Sequence, residues 1–343
     1  MRILIINNYS MKQSLTWYKA RILPAHHCWG CDMIEQQKGV KLCFALYKIN
    51  RFFFKLHLAR IAYCILQCVF LLKAVRCKVV YAAASPLIDW MGYLKYMGLY
   101  NKRLVIVVHH PRNFSMKRQL YDKIIFICKD AYKQAIEDYP QLAEHFEFQE
   151  WGPDLNFYED IRADLSNLSF VSNGITSRDN NTLITAAKEI EYQVGVLCNQ
   201  QSIPSSYNKL YKNVKLIYNE GTMMDGKIMS YKEMLNFISK YSVCVIPTYK
   251  KQKALCGLTS FCDAIAMGMP VLLSNTTHIS VDFHQDNFGC YYEAENVQNL
   301  LHSMKCFENP EQRRKMAIVA RKYAEKHNYE MFAKAICKAV LNQ

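Results

Sequence analysis

The chain has 343 residues, of which 51% are hydrophobic and 21% charged, a balance typical of globular proteins that excludes a disordered or fibrous chain. Its net charge of +14 is uneven: residues 1–118 hold 19 Lys and Arg but three acids, Asp32, Glu35 and Asp89, a net of +16, while the other 225 residues sum to −2. This imbalance excludes a protein that binds nucleic acid over its whole surface, and it indicates that only the first third faces an anionic partner.

Short apolar runs rich in β-branched residues recur along the chain, with amphipathic helical patterns between them. The predicted strands are Arg2–Ile6, Lys78–Ala83, Leu104–Val108, Lys123–Ile127, Ser169–Val171, Tyr192–Leu197, Val214–Tyr218, Ser242–Ile246 and Pro270–Leu273. Such runs are typical of buried parallel strands, and their alternation with helices indicates βαβ units. The predicted fold class is therefore α/β.

The alternation restarts after a turn-rich segment, Trp151–Tyr158, and a polar stretch, Glu159–Asn167. We therefore expect two doubly wound, Rossmann-like domains, residues 1–155 and 166–325, followed by a C-terminal helix over residues 326–343. Because ligands of doubly wound domains bind outside the carboxyl ends of the strands, we expect the binding site in a crevice between the domains.

Three features favour a cytoplasmic protein. A strand pattern starts at Arg2, with no signal peptide before it. The longest apolar stretch, Ile61–Leu72, is shorter than the about 20 residues that span a bilayer. The 14 cysteines are irregularly spaced, which favours free thiols in a reducing compartment. Seven of them lie in apolar runs, where a thiol packs as a small hydrophobic group: Cys64, Cys68, Cys128, Cys198, Cys244, Cys262 and Cys337.

The segment Val243–Ser274 combines a strand, a basic loop and the start of a helix. The strand ends at Pro247, and the loop after it carries Lys250, Lys251 and Lys253. This arrangement favours an anionic ligand at the end of the strand. The alternative is an ordinary joint in which glycine and proline only end the elements.

The helix of this segment begins after Gly257, a residue type that lets a ligand approach the backbone. The free N–H groups and the dipole of a helix start favour phosphate, and Thr259 and Ser260 add hydroxyl donors. One turn into the helix, the Asp263 carboxylate is placed to accept hydrogen bonds from a ribose diol. These residues predict a nucleotide site.

The same segment resembles the donor-site motif of retaining GT-B glycosyltransferases, the family-four or group-one type of bacterial polysaccharide synthesis. The matching residues are Ile246-Pro247-Thr248, Gly257-Leu258, Asp263-Ala264 and Met267-Gly268-Met269-Pro270-Val271. Two positions depart from the motif: its second Glu is Asp263 here, and its first Glu, which usually contacts the donor sugar, is Leu255. The resemblance implies that Gly257 and Leu258 contact the donor.

A second strand–loop–helix, around Ser172–Asp179, resembles the first such unit of the family's C-terminal domain. There a glycine loop and a basic side chain meet the donor diphosphate, which implies these roles for Gly174 and Arg178. Asp179 is predicted to cap the following helix. A solvated arginine at a helix start is the alternative for Arg178.

Two more segments carry the resemblance. Trp151–Asp154 resembles the interdomain Gly-x-Asp motif, and Arg313–Val340 resembles the closing helices, the last of which often packs on the first domain. The resemblance covers residues 121–343 and is slight before them.

Two strand ends of the first domain carry candidate catalytic and acceptor-binding residues. His109 and His110 follow the run Leu104–Val108, where members of the family often have a His beside the donor sugar, so either is placed to bind the sugar or assist the acceptor. The alternative is a strand-end histidine bound to the backbone. Arg112 and Ser85 are acceptor-binding candidates at the same edge.

Cys28 and Cys31 form a CxxC pair next to His26 and His27. A zinc site needs about four ligands, and no second pair completes this one. No metal site is therefore predicted, and two buried or edge cysteines are expected.

The basic run Arg51–Arg60 interleaves phenylalanines with cations and leads into Ile61–Leu72. This pattern suits a helix at the interface of an anionic membrane, and we expect residues 1–118 to make peripheral contact with one. The alternatives are a core-facing helix with solvated cations and a nucleic-acid site, for which the sequence has no recognisable module.

The resemblance implies a glycosyltransferase of hexosyltransferase type that needs no metal or other cofactor. It would move a sugar, with retention, from a UDP- or GDP-sugar to a saccharide or lipid-linked acceptor at the inner face of the cell membrane, in cell-surface polysaccharide biosynthesis. No nucleic-acid partner is expected. Two alternatives stay open. One is a catalytically impaired nucleotide-sugar-binding protein, suggested by Leu255. The other is a nucleotide-sugar epimerase, for which no carboxylate pair is identified.

Overall fold

The computed structural model describes residues 1–48, 57–83, 87–109, 118–199, 203, 211–218 and 229–342. The chain divides into two compact units. The first unit contains Met1–Trp151 and Tyr329–Gln343, and the second contains Gly152–Asn328. The C-terminal helix, expected over residues 326–343, thus belongs to the first unit.

The first unit is built on one parallel sheet. Its strands are β1 (Arg2–Asn7), β2 (Lys41–Leu46), β3 (Val79–Ala82), β4 (Arg103–Val108), β5 (Lys123–Phe126) and β6 (Phe146–Phe148). Their order across the sheet is β2-β1-β3-β4-β5-β6. Its helices are α1 (Met11–Lys19), α2 (Cys31–Glu35), α3 (Ala59–Ala74), α4 (Asp89–Tyr96), α5 (Lys129–Asp138) and the C-terminal α12 (Tyr329–Leu341).

The second unit repeats this plan. Its strands are β7 (Ser169–Asn173), β8 (Gln193–Cys198), β9 (Val214–Tyr218), β10 (Val243–Ile246), β11 (Val271–Ser274) and β12 (Gly289–Tyr292). Their order is β12-β11-β10-β7-β8-β9, again parallel. Its helices are α6 (Asn180–Ala187), α7 (Tyr231–Ile238), α8 (Leu258–Ala266), α9 (Phe283–Asp286), α10 (Val297–Met304) and α11 (Pro310–Lys326).

Two parallel sheets with helices between their strands confirm the predicted α/β class. All nine predicted strands are present, each within two residues of its predicted bounds. Inner strands such as β10 are buried along their whole length, which is why they appear in the sequence as continuous apolar runs. The prediction missed β2, β6 and β12. All three lie at sheet edges, where partly exposed residues break the apolar run.

The 14 cysteines are free thiols. The expected packing in apolar runs is wrong for Cys64 and Cys68, because α3 turns that side of the helix outward and leaves both exposed. Cys28 and Cys31 are buried, in agreement with the prediction. Over the described ranges, no group of three or more His, Cys, Asp or Glu side chains could hold a metal ion. In the same part of the chain, no helix has both the length and the apolar character needed to cross a bilayer.

Helix α12 packs on the start of the first unit. The Tyr329 hydroxyl donates to the Asp32 carboxylate and accepts from the Gly30 backbone N–H, 2.9 Å away. Gly30 has a φ of +80°, and a Cβ there would lie 2.9 Å from two side-chain carbons of Ile336. A glycine at this position therefore allows the close approach of α12.

Tyr329→Phe is expected to lower the free energy of unfolding by about 2 kcal/mol, because it removes one buried partner from Asp32 and one from the Gly30 N–H. Chemical denaturation followed by fluorescence measures this change. Tyr96→Phe, at an exposed tyrosine of α4, is the matched control and should leave stability unchanged. A Tyr329→Phe protein as stable as its parent would show that these bonds contribute nothing.

Candidate functional site

Two loops meet at the carboxyl ends of β7 and β10, which are neighbours in the second sheet. The Asp179 backbone N–H donates to the Pro247 carbonyl over 3.1 Å, and Arg178 forms an isolated antiparallel bridge with Thr248. These contacts join two segments, which we call the two-loop site. One is the loop after β7, residues 174–179, and the other is the loop after β10 with the start of α8, residues 247–260.

The Arg178 side chain lies buried beneath the two loops. Its Nε donates to the Asn173 carbonyl over 3.2 Å, and Nη2 donates to Ser260 Oγ over 3.0 Å. Nη1 donates to the Thr176 carbonyl over 3.1 Å and to Cys256 Sγ over 3.2 Å. Within the described ranges, no carboxylate lies within 4.0 Å of the guanidinium, and one N–H of Nη2 has no acceptor. Since a buried charge without a counter-ion is costly, the arrangement favours an anionic ligand.

A second buried arginine shows which of these contacts are informative. Arg313 donates to the carbonyls of Phe307 over 2.7 Å and of Leu165 over 3.3 Å. Arg313 also has no described carboxylate within 4.0 Å. Neither bonds to backbone carbonyls nor the lack of a counter-ion therefore separates a ligand-binding arginine from a purely structural one. Arg178 differs from Arg313 because it lies at strand ends, against two glycines and a helix start. Its burial also rules out the alternative of a solvated side chain.

Gly174 and Gly257 bring backbone directly against the Arg178 guanidinium. Their φ angles, +112° and +86°, lie in the region that favours glycine. A Cβ on Gly174 would lie 2.6 Å from Arg178 Nη2. A Cβ on Gly257 would lie 2.4 Å from Ile246 Cγ2 and 3.5 Å from Nη2. The structure thus brings together the three residues that the sequence assigns to diphosphate binding.

Gly174→Ala is expected to destabilise the protein by about 2 kcal/mol, because backbone strain adds to displacement of the guanidinium. It should also weaken binding of a nucleoside diphosphate, since Nη2 must move. Thermal unfolding with and without UDP measures both effects. Gly98→Ala tests strain alone, because Gly98 has a φ of +75° and open space around its Cβ position. Parent-like stability and UDP affinity in Gly174→Ala would contradict the close packing.

Helix α8 begins at the two-loop site without a side-chain cap from any described residue. Gly257 is its N-cap residue, and Leu258 and Thr259 of the first turn are half-buried. Their backbone N–H groups and the Thr259 hydroxyl can therefore reach a ligand. The Ser260 hydroxyl, predicted as a further donor, instead donates to the Asn173 carbonyl over 2.8 Å.

Helix α6 starts differently at the same site. An oxygen of the Asp179 carboxylate accepts from the Thr182 backbone N–H over 3.1 Å, which confirms the predicted cap. Burial raises the pKa of Asp179. The capping acid occupies an N–H group that phosphate would use, so the start of α8 is a better candidate for an anion site than the start of α6.

The lysines of the loop after β10 differ in their partners. Lys250 Nζ lies 3.2 Å from a Glu293 carboxylate oxygen, and its backbone N–H donates to Glu295 over 3.1 Å. Lys251 and Lys253 are exposed, with no carboxylate of the described residues within 4.0 Å. Lys251 and Lys253 are therefore better placed than Lys250 to neutralise a ligand.

Asp263 is fully buried one turn into α8. Its Oδ1 accepts from the hydroxyls of Tyr158 over 2.6 Å and Tyr231 over 2.7 Å, and its Oδ2 accepts from Asn173 Nδ2 over 3.3 Å. Burial raises the pKa of the carboxyl to about 6. The carboxylate therefore does not face outward toward a ribose. The ribose contact stays a prediction, and the bonds observed hold α8 to segments distant in sequence.

Several polar residues near the site were not assigned a role from the sequence. Three of them are the residues that donate to Asp263. Three others form a hydroxyl cluster, in which Thr248 Oγ1 lies 2.5 Å from Ser274 Oγ and 2.8 Å from Thr276 Oγ1. The sequence could have indicated the cluster by position, because Thr248 lies just after β10 and Ser274 ends β11, where ligands of such sheets bind.

Leu255 occupies the position of the sugar-contacting Glu in the family motif. Its side chain is buried, and the next residue, Cys256, accepts a hydrogen bond from Arg178. This position therefore supplies no carboxylate to the two-loop site.

His109 follows β4 of the first unit in a stack of aromatic rings. The Trp29 ring centroid lies 4.6 Å from that of His109 and 5.2 Å from that of Trp151, with interplanar angles of 22° and 20°. His109 Nε2 lies 2.7 Å from the Ala83 carbonyl, which only accepts, so Nε2 carries the proton. This bond agrees with a strand-end histidine held by backbone, and the catalytic role stays a prediction. Three further predicted site residues lie outside the described residues: Ser85, His110 and Arg112.

No protein-family model and no curated protein sequence matches this chain. Its structure does resemble solved ones. A glycosyltransferase from Rickettsia africae aligns with a TM-score of 0.66 and 12% identity, over 99% of this chain and 98% of the other. WaaG, a glycosyltransferase involved in lipopolysaccharide biosynthesis, gives 0.66 and 13% over 100% of both chains. Anabaena HepE, in complex with UDP and glucose, gives 0.62 and 13%, also over 100% of both. At these identities the likeness establishes the fold, and this chain has the GT-B fold of two Rossmann-like domains.

Proposed function

We propose that this protein is a glycosyltransferase that moves a sugar, with retention, from a UDP- or GDP-sugar to a saccharide or lipid-linked saccharide. The observation that carries the proposal is the buried Arg178 at the ends of two strands, against Gly174 and beneath an uncapped helix start at Gly257. The GT-B fold adds support, since HepE has that fold and was solved with UDP and glucose.

The two-loop site supplies positive charge where the nucleoside diphosphate develops negative charge as it leaves. The backbone N–H groups of Leu258 and Thr259 donate to diphosphate oxygens, and Arg178 supplies a full charge beneath them. Lys251 and Lys253 add charge from the exposed loop. Fixed donors and charges of this kind stabilise a leaving anion without reorganising during the reaction. On this proposal the chain's own cations neutralise the leaving group, and hexosyl transfer needs no metal ion.

The first unit is proposed to hold the acceptor. His109 and His110 would contact the sugar or the acceptor after β4, and Arg112 and Ser85 would bind the acceptor. The net charge of +16 over residues 1–118 supports an anionic, lipid-linked acceptor at the cytoplasmic face of a membrane. The role of WaaG in lipopolysaccharide biosynthesis supports a place in cell-surface polysaccharide biosynthesis.

Leu255 favours a second candidate, a protein that binds nucleotide sugars without transferring them. No specific observation favours the epimerase. Of the acids near the site, Asp179 and Asp263 are buried and accept bonds from within the unit, and Glu293 and Glu295 bond to Lys250.

A thermal-shift titration with UDP, GDP and their monophosphates tests the donor site, because a ligand that binds only the folded state raises the melting temperature. We expect one diphosphate to stabilise the protein more than its monophosphate. Hydrolysis and transfer assays with the matching nucleotide sugars then test the activity. Absence of a shift with either diphosphate would contradict the donor site. Saturable binding without hydrolysis or transfer would favour the second candidate.

A further inference from the structure

Helix α3 turns a continuous apolar face outward. Ala62, Phe70 and Ala74 pack inward. On the opposite side, large aliphatic side chains at spacings of three and four residues are exposed, and we call them the α3 outer face: Leu58 (36%), Ile61 (54%), Ile65 (52%), Val69 (37%), Leu72 (72%) and Val75 (65%). The alternative of a core-facing helix with solvated cations accounts for the buried side of α3 but not for this exposed apolar row. A contiguous row of this kind marks an interaction surface, whereas single exposed apolar residues do not.

Exposed cations accompany the α3 outer face. Arg60, Lys73 and Arg76 are exposed, and α3 contains no Asp or Glu. Within the described ranges, none of the three has a carboxylate within 4.0 Å. An apolar row with unneutralised cations beside it is the composition of a helix that lies in the plane of a membrane interface. Residues 51–56 of the basic run before α3 lie outside the described residues.

We propose that the α3 outer face docks on an anionic lipid bilayer, with α3 parallel to the surface. Its aliphatic side chains would enter the boundary between headgroups and acyl chains, while the long side chains of Arg60 and Arg76 reach the anionic headgroups. Lys73 contributes less, because its Nζ donates to the Phe44 carbonyl over 3.3 Å. A second copy of this chain fits less well, because a two-fold contact over α3 would bring these same cations together.

This inference deepens the proposed membrane contact of residues 1–118, because it names the element that makes the contact and adds apolar insertion to charge attraction. It does not depend on sugar transfer. Vesicle binding is measured on the full chain without donor, so the loss of one function leaves the other measurable.

Flotation of the purified full chain with phosphatidylcholine vesicles, with and without about one-third phosphatidylglycerol, tests the proposal. We expect strong partition only onto the anionic vesicles. In Ile65→Ser/Leu72→Ser the partition coefficient should fall by about tenfold for each aliphatic side chain removed. In Arg60→Gln/Arg76→Gln it should fall by about fivefold for each cation, and only this loss should shrink in high salt.

Ile318→Ser is the matched control, because Ile318 of α11 is 58% exposed and lies in the second unit. It should partition like the parent. Since the substituted α3 residues are exposed, melting temperatures should match the parent and confirm that the variants are folded. Unchanged partition in Ile65→Ser/Leu72→Ser, or equal binding to both kinds of vesicle, would overturn the proposal. A dimer of the parent in lipid-free sedimentation would also overturn it if Ile65→Ser/Leu72→Ser is a monomer, because the α3 outer face would then bind a second copy.

Discussion

Arg178→Gln is expected to weaken binding of UDP or GDP by about 100-fold, because the change removes a buried charge and its charge-assisted hydrogen bonding, worth about 3 kcal/mol. Isothermal titration of the folded variant measures the affinity. The affinity of Arg178→Lys should lie between those of the parent and of Arg178→Gln, since lysine keeps the charge but loses the planar fork of donors.

Arg313→Gln is the matched control for this prediction. Both arginines are buried, lie in the second unit and donate to backbone carbonyls, so both changes should lower the melting temperature. Only Arg178→Gln should also lower the affinity per folded molecule. Equal affinities of the two variants would make Arg178 a structural residue and remove it from the donor site.

Asp263→Ala is expected to lower the free energy of unfolding by about 4 kcal/mol, because Tyr158, Tyr231 and Asn173 each lose a buried acceptor. Asp263→Asn should behave quite differently. Its amide oxygen can still accept from both tyrosines. The buried Asn173 Oδ1, which has no partner, can turn toward the new amide N–H₂. We expect Asp263→Asn to be at least as stable as the parent at neutral pH, and a loss equal to that of Asp263→Ala would contradict this arrangement.

The pH dependence of stability provides a second measurement of Asp263. Burial raises the pKa of its carboxyl from 3.8 to about 6, so the folded protein binds this proton more tightly than the unfolded chain. Between about pH 4 and about pH 6, stability should therefore fall as pH rises, by about 3 kcal/mol from this group. Denaturation of the parent and of Asp263→Asn across this range should show the fall only in the parent. An identical slope in both would assign it to other groups.

The architecture was predictable where a strand is buried on both faces. Strands such as β4 and β10 appear as unbroken apolar runs because helices cover both sides of a parallel sheet. Edge strands give no such run: β6 has three residues and β2 is mostly half-exposed, so periodicity does not separate them from loops. For a related reason the sequence left two interpretations of α3 open, a membrane-interface helix and a core-facing one, since an apolar helix looks the same whether it faces a core or a different apolar partner.

The sequence placed three residues of the two-loop site by different routes. Gly257 was singled out by the helix start that follows it, whereas Gly174 and Arg178 were singled out by the family resemblance. The structure brings the three together, and their donor-binding role stays a prediction. The internal bonds of Asp263 and Ser260 were not predictable, because their partners Tyr158, Tyr231 and Asn173 lie in other segments of the chain. One sequence shows which groups can bond, but only packing shows which of them meet.

The return of the chain to the first unit makes the order of synthesis matter. Residues 1–151 leave the ribosome first, yet the helix that packs on Gly30 is made only after the whole of residues 152–328. At about 5–20 residues per second, the first unit waits about ten to forty seconds for α12. The second unit is continuous in sequence and can close during that interval. The domain begun first is therefore the domain completed last, and until then the surface that α12 will cover is exposed to chaperones and proteases.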